Sequence, residues 1–202
     1  MAPHSQLAIW LKRNGICYDG LRISNGGSGT SVYASRDFAA HEILASIPKH
    51  AVLSVRTATC APVLQRLMNL GLHPSSALSF AVATERSRGA HSRWFAYLSA
   101  LAPYEPLPLL WTDTELALLS GTGLDVQARG RRHEVAREHT ELMAALSADE
   151  ARLWAVSLDE YVWAVTLTSS RAFFVDELHG ESLVPFADLL NHKCALLPEG
   201  AV

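Results

Sequence analysis

Cysteine is scarce in this sequence, with three residues in 202, at Cys17, Cys60 and Cys194. An odd number of widely separated cysteines argues against a disulfide framework and indicates a reducing compartment. We therefore expect a cytoplasmic or nuclear protein, or one found in both places. Structural zinc needs four clustered Cys or His ligands, so no metal is expected either.

A strong charge imbalance and long apolar runs are also absent. The formal net charge is −3 at pH 7, which gives no electrostatic basis for binding nucleic acid. No apolar run approaches the roughly 18 residues of a membrane span, and residues 1–6 lack the basic and apolar regions of a secretory signal. We expect neither a nucleic-acid nor a membrane partner, and the oligomeric state stays unknown.

The chain does contain enough apolar residues to bury a core, with 49 % hydrophobic and 18 % charged residues. This length suits one domain, or a core with a sizeable insertion. Leu7, Trp10 and Leu11 share one face of a short first helix. Short strands are then predicted at 31–35, 43–47 and 52–54.

From about residue 56 the apolar period changes from two to about 3.6, which predicts helices. A helix is expected to begin at Pro74 and another to span Trp94 to Leu101. Three further helix starts carry capping boxes, in which Ser or Thr is followed three residues later by Glu. These boxes are at 112–115, 147–150 and 157–160. Residues 57–170 are therefore predicted to be mainly helical, with strands confined to 20–55 and 172–187.

A polar cluster follows an apolar run near the end of the chain, where residues 183–192 read Leu-Val-Pro-Phe-Ala-Asp-Leu-Leu-Asn-His. Asp188, Asn191 and His192 fall within five residues, and helical spacing would place Asp188 and His192 on one face. Polar groups that emerge from a buried run need partners, and they often form part of a site. The simpler interpretation is a helix start with Asp188 as its cap.

Together with Ser-Arg-Ala-Phe at 170–173, this stretch resembles the SET-domain protein lysine methyltransferases, in the class typified by the Rubisco large-subunit methyltransferase. In that class a helix ends in Ser-Arg-Ala-Phe, and a Pro-x-x-Asp-x-x-Asn-His segment follows. Residues 29–48 resemble the first SET motif, and residues 92–98 and 111–122 resemble segments of the class's helical insertion. The resemblance runs from about residue 15 to residue 195.

The fold that this resemblance implies is α+β, a partial SET domain of short β-strands split by a helical insertion. The expected parts are an N-terminal SET part at 1–55, a helical insertion at 56–156 and an incomplete C-terminal SET part at 157–202. Family members continue with a tyrosine that lines the methyl-transfer channel and with a C-terminal domain that binds the substrate. We therefore expect a truncated form or a fragment with impaired activity.

The function implied by the resemblance is methylation of a lysine in a protein substrate, with S-adenosylmethionine as cofactor. A lysine amine must lose its proton and attack the sulfonium methyl in line, so the site needs acceptors that orient the amine. Carried over from the family, the backbone carbonyls of Ser170 and Asp188 would orient it. The residues that would hold the cofactor are Gly29, Thr30, Ser31, Val32, Arg171, Asn191 and His192.

The sequence departs from the family pattern at two glycines, because Ser31 and His41 stand where glycine is usual. Ser31 puts a close approach of the cofactor in question, whereas His41 is expected to alter only a turn. Arg171 also has a purely structural interpretation, as a buried salt-bridge partner with Asp188 as the candidate carboxylate.

Two alternative functions are consistent with the same residues. One is a catalytically inactive SET-like module that binds a protein partner. The other, more remote, is a cysteine hydrolase that uses Cys194 with His192, although neither an acidic orienting group nor a nucleophile motif is recognisable.

Overall fold

The computed structural model describes residues 3–26, 29–102 and 105–190. Within these ranges the chain forms α-helices and two short antiparallel strand pairs, one after the first helix and one after the last. In chain order the elements are α1 (Pro3–Arg13), β1 (Leu21–Gly26), β2 (Gly29–Ala34), α2 (Ala61–Asn69), α3 (Pro74–Ser87), α4 (Phe95–Leu98), α5 (Asp113–Ala117), α6 (Leu124–Ala144), α7 (Ala148–Trp154), α8 (Leu158–Arg171), β3 (Ala172–Phe174) and β4 (Glu181–Leu183). Single 3-10 turns occur at Lys49–Ala51, Gly89–His91, Pro108–Leu110 and Ala187–Leu189.

Helix α1 confirms the first predicted helix. Leu7 and Leu11 are buried, and Trp10 packs against the same core. The helix stops at Asn14 and Gly15, where Gly15 has a φ of 74°. Glycine adopts this left-handed conformation without steric strain, which is why it commonly ends a helix.

Strands β1 and β2 form an antiparallel hairpin in which Leu21 pairs with Ala34 and Gly26 pairs with Gly29. Gly26 thus ends β1, and Gly29 begins β2 opposite it. The predicted strands at 43–47 and 52–54 are wrong, because each segment forms only an isolated bridge. Ser46 pairs with Cys17, and Leu53 pairs with Leu183. Each of these segments has a pairing partner at one position only, so no ladder develops.

Helices α2 to α8 confirm the helical structure that the change of apolar period predicts after residue 56. Helix α3 is buried from Ser76 to Glu85 and packs along α8, so these two helices form the centre of the core. All three capping boxes form in the structure, at the starts of α5, α7 and α8. The helix expected over Trp94 to Leu101 is shorter than predicted, because α4 covers only Phe95–Leu98.

Strands β3 and β4 pair antiparallel directly after α8, with Ala172 opposite Leu183. The backbone of Leu53 bonds to Leu183 in both directions at 2.9 Å, which ties this second hairpin to the N-terminal part of the chain. Among the described residues, no helix is both long and apolar enough to cross a membrane. The expected boundaries after residues 55 and 156 stay predictions.

Candidate functional site

The segment that follows β4 leads into one 3-10 turn, Ala187–Leu189, instead of a longer helix. Phe186 comes just before this turn and has a φ of 77° and a ψ of −47°, a strained conformation for any residue except glycine. Its side chain is completely buried and stacks on Tyr18, with 4.4 Å between the ring centroids. Burial of this ring offsets the strain and sets the direction in which the turn leaves the core.

Asp188 does not act as a helix cap, so that interpretation is wrong. Its side chain is buried, and the hydroxyl of Tyr97 donates a hydrogen bond of 2.6 Å to Oδ2. Burial raises the pKa of Asp188 to about 6, although the bond from Tyr97 and the positive charge of Arg171 act in the opposite direction. The other oxygen, Oδ1, has no hydrogen-bond partner among the described residues. Asp188 is therefore a buried carboxyl group that loses its proton less readily than an exposed one.

Arg171, the last residue of α8, binds two groups at this site. Its Nη1 donates to the backbone carbonyl of Asp188 at 2.9 Å, and its Nε donates to Oε1 of Glu105 at 2.5 Å. The side chains of the ion pair are 22 % and 14 % exposed, so the pair is largely shielded from water. The expected salt bridge to the Asp188 carboxylate is wrong: Glu105 supplies the carboxylate, and Asp188 supplies its carbonyl oxygen.

Ser170 immediately precedes Arg171 and lies in the last turn of α8. The backbone N–H of Ala172 donates to the carbonyl of Thr168, and the carbonyls that follow Thr168 in α8 have no later donor within the helix. The Asp188 carbonyl accepts one bond from Arg171 and, like any carbonyl oxygen, has a second lone pair. The two carbonyls assigned to the substrate amine are thus linked through Arg171, because Ser170 precedes it in the chain and Asp188 accepts a hydrogen bond from its side chain.

Four predicted residues of the cofactor site, Gly29, Thr30, Ser31 and Val32, lie on strand β2. Ser31 is buried, and Val32 packs partly against the core. Strand β2 lies against the Ala187–Leu189 turn, with Cα atoms of the two elements within 8 Å. The structure therefore brings β2, Arg171 and the Ala187–Leu189 turn, called the polar turn below, close together.

Three residues that the sequence assigned to a site lie outside the described residues: Asn191, His192 and Cys194. The ligand-binding roles assigned to Gly29, Thr30, Ser31 and Val32 stay predictions.

Two residues at this site were not found from the sequence. Tyr97 belongs to the Ser-x-Trp-x-x-Tyr-Leu segment that resembles the family, but only the structure shows its bond to Asp188. Glu105 lies in a loop just before Pro106 and carries no pattern that could have identified it. Its partner, Arg171, is 66 residues away.

No family model matches the sequence, but proteins with similar sequences and structures are known. The chloroplastic fructose-bisphosphate aldolase-lysine N-methyltransferase of Arabidopsis thaliana is 30 % identical over 175 residues, which are 85 % of this chain and 35 % of that protein. The chloroplastic Rubisco large-subunit N-methyltransferase of Pisum sativum is 27 % identical over 196 residues, covering 94 % of this chain and 39 % of that protein. The crystal structure of the SET domain of LSMT bound to lysine and AdoHcy superposes with a TM-score of 0.84 at 24 % identity, over 97 % of this chain and 45 % of that one. This chain is therefore similar in sequence to protein-lysine N-methyltransferases, and its fold is that of a SET domain.

The structural similarity to this SET domain confirms the predicted fold, an α+β partial SET domain with short strands and many helices. The chain spans 35 % and 39 % of the length of the two curated relatives described above.

Proposed function

We propose that this chain is part of an S-adenosylmethionine-dependent protein-lysine N-methyltransferase. The observation that carries the proposal is the junction at the end of α8, where Arg171 binds the carbonyl of Asp188 beside strand β2. Relatives named as lysine N-methyltransferases support it. In this proposal the residues around Arg171 bind the cofactor, and two backbone carbonyls accept hydrogen bonds from the substrate amine.

The chemistry of Arg171 fits the amino-acid end of the cofactor. A guanidinium group has five N–H donors in a planar fork. Glu105 and the Asp188 carbonyl each accept one of them, and the other three have no acceptor among the described residues, so they can bind a carboxylate. The ion pair with Glu105 also fixes the plane of the guanidinium, so less conformational freedom is lost when a ligand binds.

Two backbone carbonyls, those of Ser170 and Asp188, suit a lysine amine. Carbonyl oxygens accept hydrogen bonds from the amine, and so direct its lone pair along one line. They carry no proton and no full charge, so they orient the nucleophile without competing for the methyl group. S-adenosylmethionine, when bound, supplies that methyl group on a positively charged sulfur.

A protein that presents a lysine side chain is the partner that this function requires. The similar proteins described above are named for aldolase and for the large subunit of Rubisco. For this chain we propose a protein substrate of unassigned identity, in the cytoplasm or the nucleus. The compartment is inferred from the scarce cysteines, of which Cys17 and Cys60 are free thiols.

A methyl-transfer assay tests the proposal. The 202-residue chain and a longer protein that contains it are each incubated with labelled S-adenosylmethionine and a panel of lysine-bearing proteins. Mass spectrometry then identifies the modified residue. We expect both to bind S-adenosylmethionine, and methyl-lysine to form with the longer protein.

The same assay separates the alternatives. Cofactor binding without transfer by either protein would favour an inactive SET-like binding module. If neither protein binds S-adenosylmethionine, the proposal is contradicted. A thiol-dependent esterase activity would favour the cysteine hydrolase, which no contact among the described residues supports.

A further inference from the structure

The side chain of Tyr97 is held both by the packing of its ring and by its bond to Asp188. It lies in α4, its side chain is completely buried, and its ring stacks on Trp10 of α1 with 6.0 Å between the centroids. Its hydroxyl then reaches Oδ2 of Asp188 at 2.6 Å. The ring is fixed by packing and the hydroxyl by the bond, so each part can be altered separately.

Glu105 approaches the same site from the loop after α4. Its carboxylate lies 2.5 Å from Nε of Arg171, and its side chain is only 14 % exposed. The backbone carbonyl of Glu105 also accepts a bond of 2.7 Å from the amide of Leu107, which tightens the loop. Stretch 97–105 therefore supplies one partner to Asp188 and one to Arg171.

We propose that Tyr97 and Glu105 are positioning residues for methyl transfer: Tyr97 acts through the carboxyl of Asp188, and Glu105 acts through the guanidinium of Arg171. The inference rests on the proposed function, because it gives both residues a task at that site. Neither residue needs to contact the cofactor or the substrate. Their role is to set the direction of the Asp188 carbonyl and the plane of the Arg171 guanidinium.

Geometry explains why two anchors are needed. Asp188 carries both the carboxyl bound by Tyr97 and the carbonyl bound by Arg171. Holding both groups leaves the Asp188 peptide little freedom to rotate, so the second lone pair of its carbonyl points in one direction. A misplacement of about 1 Å can lower the rate of an oriented reaction about a hundredfold, so such anchoring affects catalysis.

The test for Tyr97 compares Tyr97→Phe with Tyr161→Phe in the 202-residue chain. Tyr161 is equally buried, and its hydroxyl also faces a carboxylate, that of Glu138 at 3.4 Å. Both substitutions delete one hydroxyl and keep the ring. Carbon-13 NMR reports the pKa of the Asp188 carboxyl, hydrogen exchange reports the amides of 186–190, and calorimetry reports the Kd for S-adenosylmethionine.

Tyr97→Phe is expected to raise the pKa of Asp188, because the lost hydrogen bond favours the ionised form. Exchange of the 186–190 amides should accelerate, and the Kd should rise, each about three- to tenfold, as expected for one lost hydrogen bond. Tyr161→Phe should leave all three readouts unchanged. If the two variants are indistinguishable in the pKa and in the exchange of 186–190, the positioning role of Tyr97 is overturned.

Glu105 is tested by a pair of substitutions at its own position. Glu105→Ala removes the acceptor of Arg171 and should weaken cofactor binding about tenfold. Glu105→Gln keeps an acceptor and should restore binding to within about threefold of the wild type. Equal losses in both variants would overturn the positioning role of Glu105.

If neither the 202-residue chain nor the longer protein binds S-adenosylmethionine, the proposed function is contradicted, whereas the contacts of Tyr97 and Glu105 are still tested. The pKa and the exchange comparison would still decide for Tyr97. For Glu105, amide exchange of residues 186–190 that is faster in Glu105→Ala than in Glu105→Gln would support the positioning role.

Discussion

The hydroxyl of Tyr97 and the carboxyl of Asp188 are 91 residues apart in sequence and share a hydrogen bond of 2.6 Å inside the protein. The first belongs to the helical middle of the chain and the second to the polar turn after β4. The helical segment therefore contributes to the candidate site, because it supplies a direct partner to a residue that the family resemblance places at the substrate amine.

The raised pKa of Asp188 predicts a specific pH dependence of stability. Burial raises this pKa to about 6 in the folded protein, from 3.8 in an exposed carboxyl. The stabilisation from protonated Asp188 is thus fully present below pH 3.8, and it is lost as the pH rises through about 6. The side chain in Asp188→Asn stays neutral at every pH. We therefore expect its free energy of unfolding to exceed that of the wild type by about 2–3 kcal/mol at pH 7.5 and to equal it near pH 4.

Denaturant unfolding at a series of pH values measures this difference. Asp176→Asn is the control of opposite sign, because hydrogen bonds from Lys49 and His179 lower the pKa of Asp176. The stability that Asp176 contributes is present at neutral pH and is lost on acidification, so its substitution should destabilise at pH 7.5 and matter less in acid. A difference between wild type and Asp188→Asn that does not change with pH would contradict the account of Asp188.

His41 predicts a stabilising substitution. It is exposed and has a φ of 67°, at a position where the resembling motif has glycine. The left-handed conformation costs a residue with a side chain about 1 kcal/mol or more relative to glycine. His41→Gly should raise the free energy of unfolding by about 0.5–1 kcal/mol, as measured by urea denaturation.

The matched control is His133→Gly on the exposed face of α6, where glycine should lower stability by about 1 kcal/mol. If glycine lowers the free energy of unfolding at both positions, the left-handed conformation of His41 carries no strain that glycine relieves.

Phe186 predicts a large loss of stability from a single truncation. Its ring is completely buried, whereas the ring of Phe173 on β3 is 47 % exposed. Phe186→Ala removes the packing that offsets the strained backbone and should cost about 3–5 kcal/mol. Phe173→Ala should cost less than about 1 kcal/mol. Thermal unfolding of both variants measures the two losses of stability. Similar losses would contradict the role assigned to the Phe186 ring.

Local signals in the sequence predicted the helices well. The Ser/Thr and Glu of each capping box are only three residues apart, so their bonds depend on little else, and all three boxes form. Gly15 likewise ends α1 through its own backbone freedom. Such features need no knowledge of distant residues.

Features that depend on distant partners were not predictable in this way. The segment 43–47 has strand-like residues, but Ser46 alone finds a backbone partner, at Cys17. Arg171 was assigned a carboxylate partner of the right kind at the wrong position, because nothing in the sequence places Glu105 beside it. The family resemblance supplied the site residues, whereas their mutual hydrogen bonds came only from the fold.

The central claim, that the junction at Arg171 belongs to a cofactor site, is tested most directly by calorimetric titration of Arg171→Ala. The ligands are S-adenosylmethionine and 5′-methylthioadenosine, which lacks the amino-acid carboxylate. Arg66→Ala is the matched control, because Arg66 also binds one glutamate, Glu150, and one backbone carbonyl, that of Ala145. We predict that Arg171→Ala weakens S-adenosylmethionine binding at least about tenfold, as expected for a charge-assisted bond, with little effect on 5′-methylthioadenosine. Arg66→Ala should bind both ligands as the wild type does, and an Arg171→Ala variant that binds S-adenosylmethionine like the wild type, or loses both ligands equally, would contradict the claim.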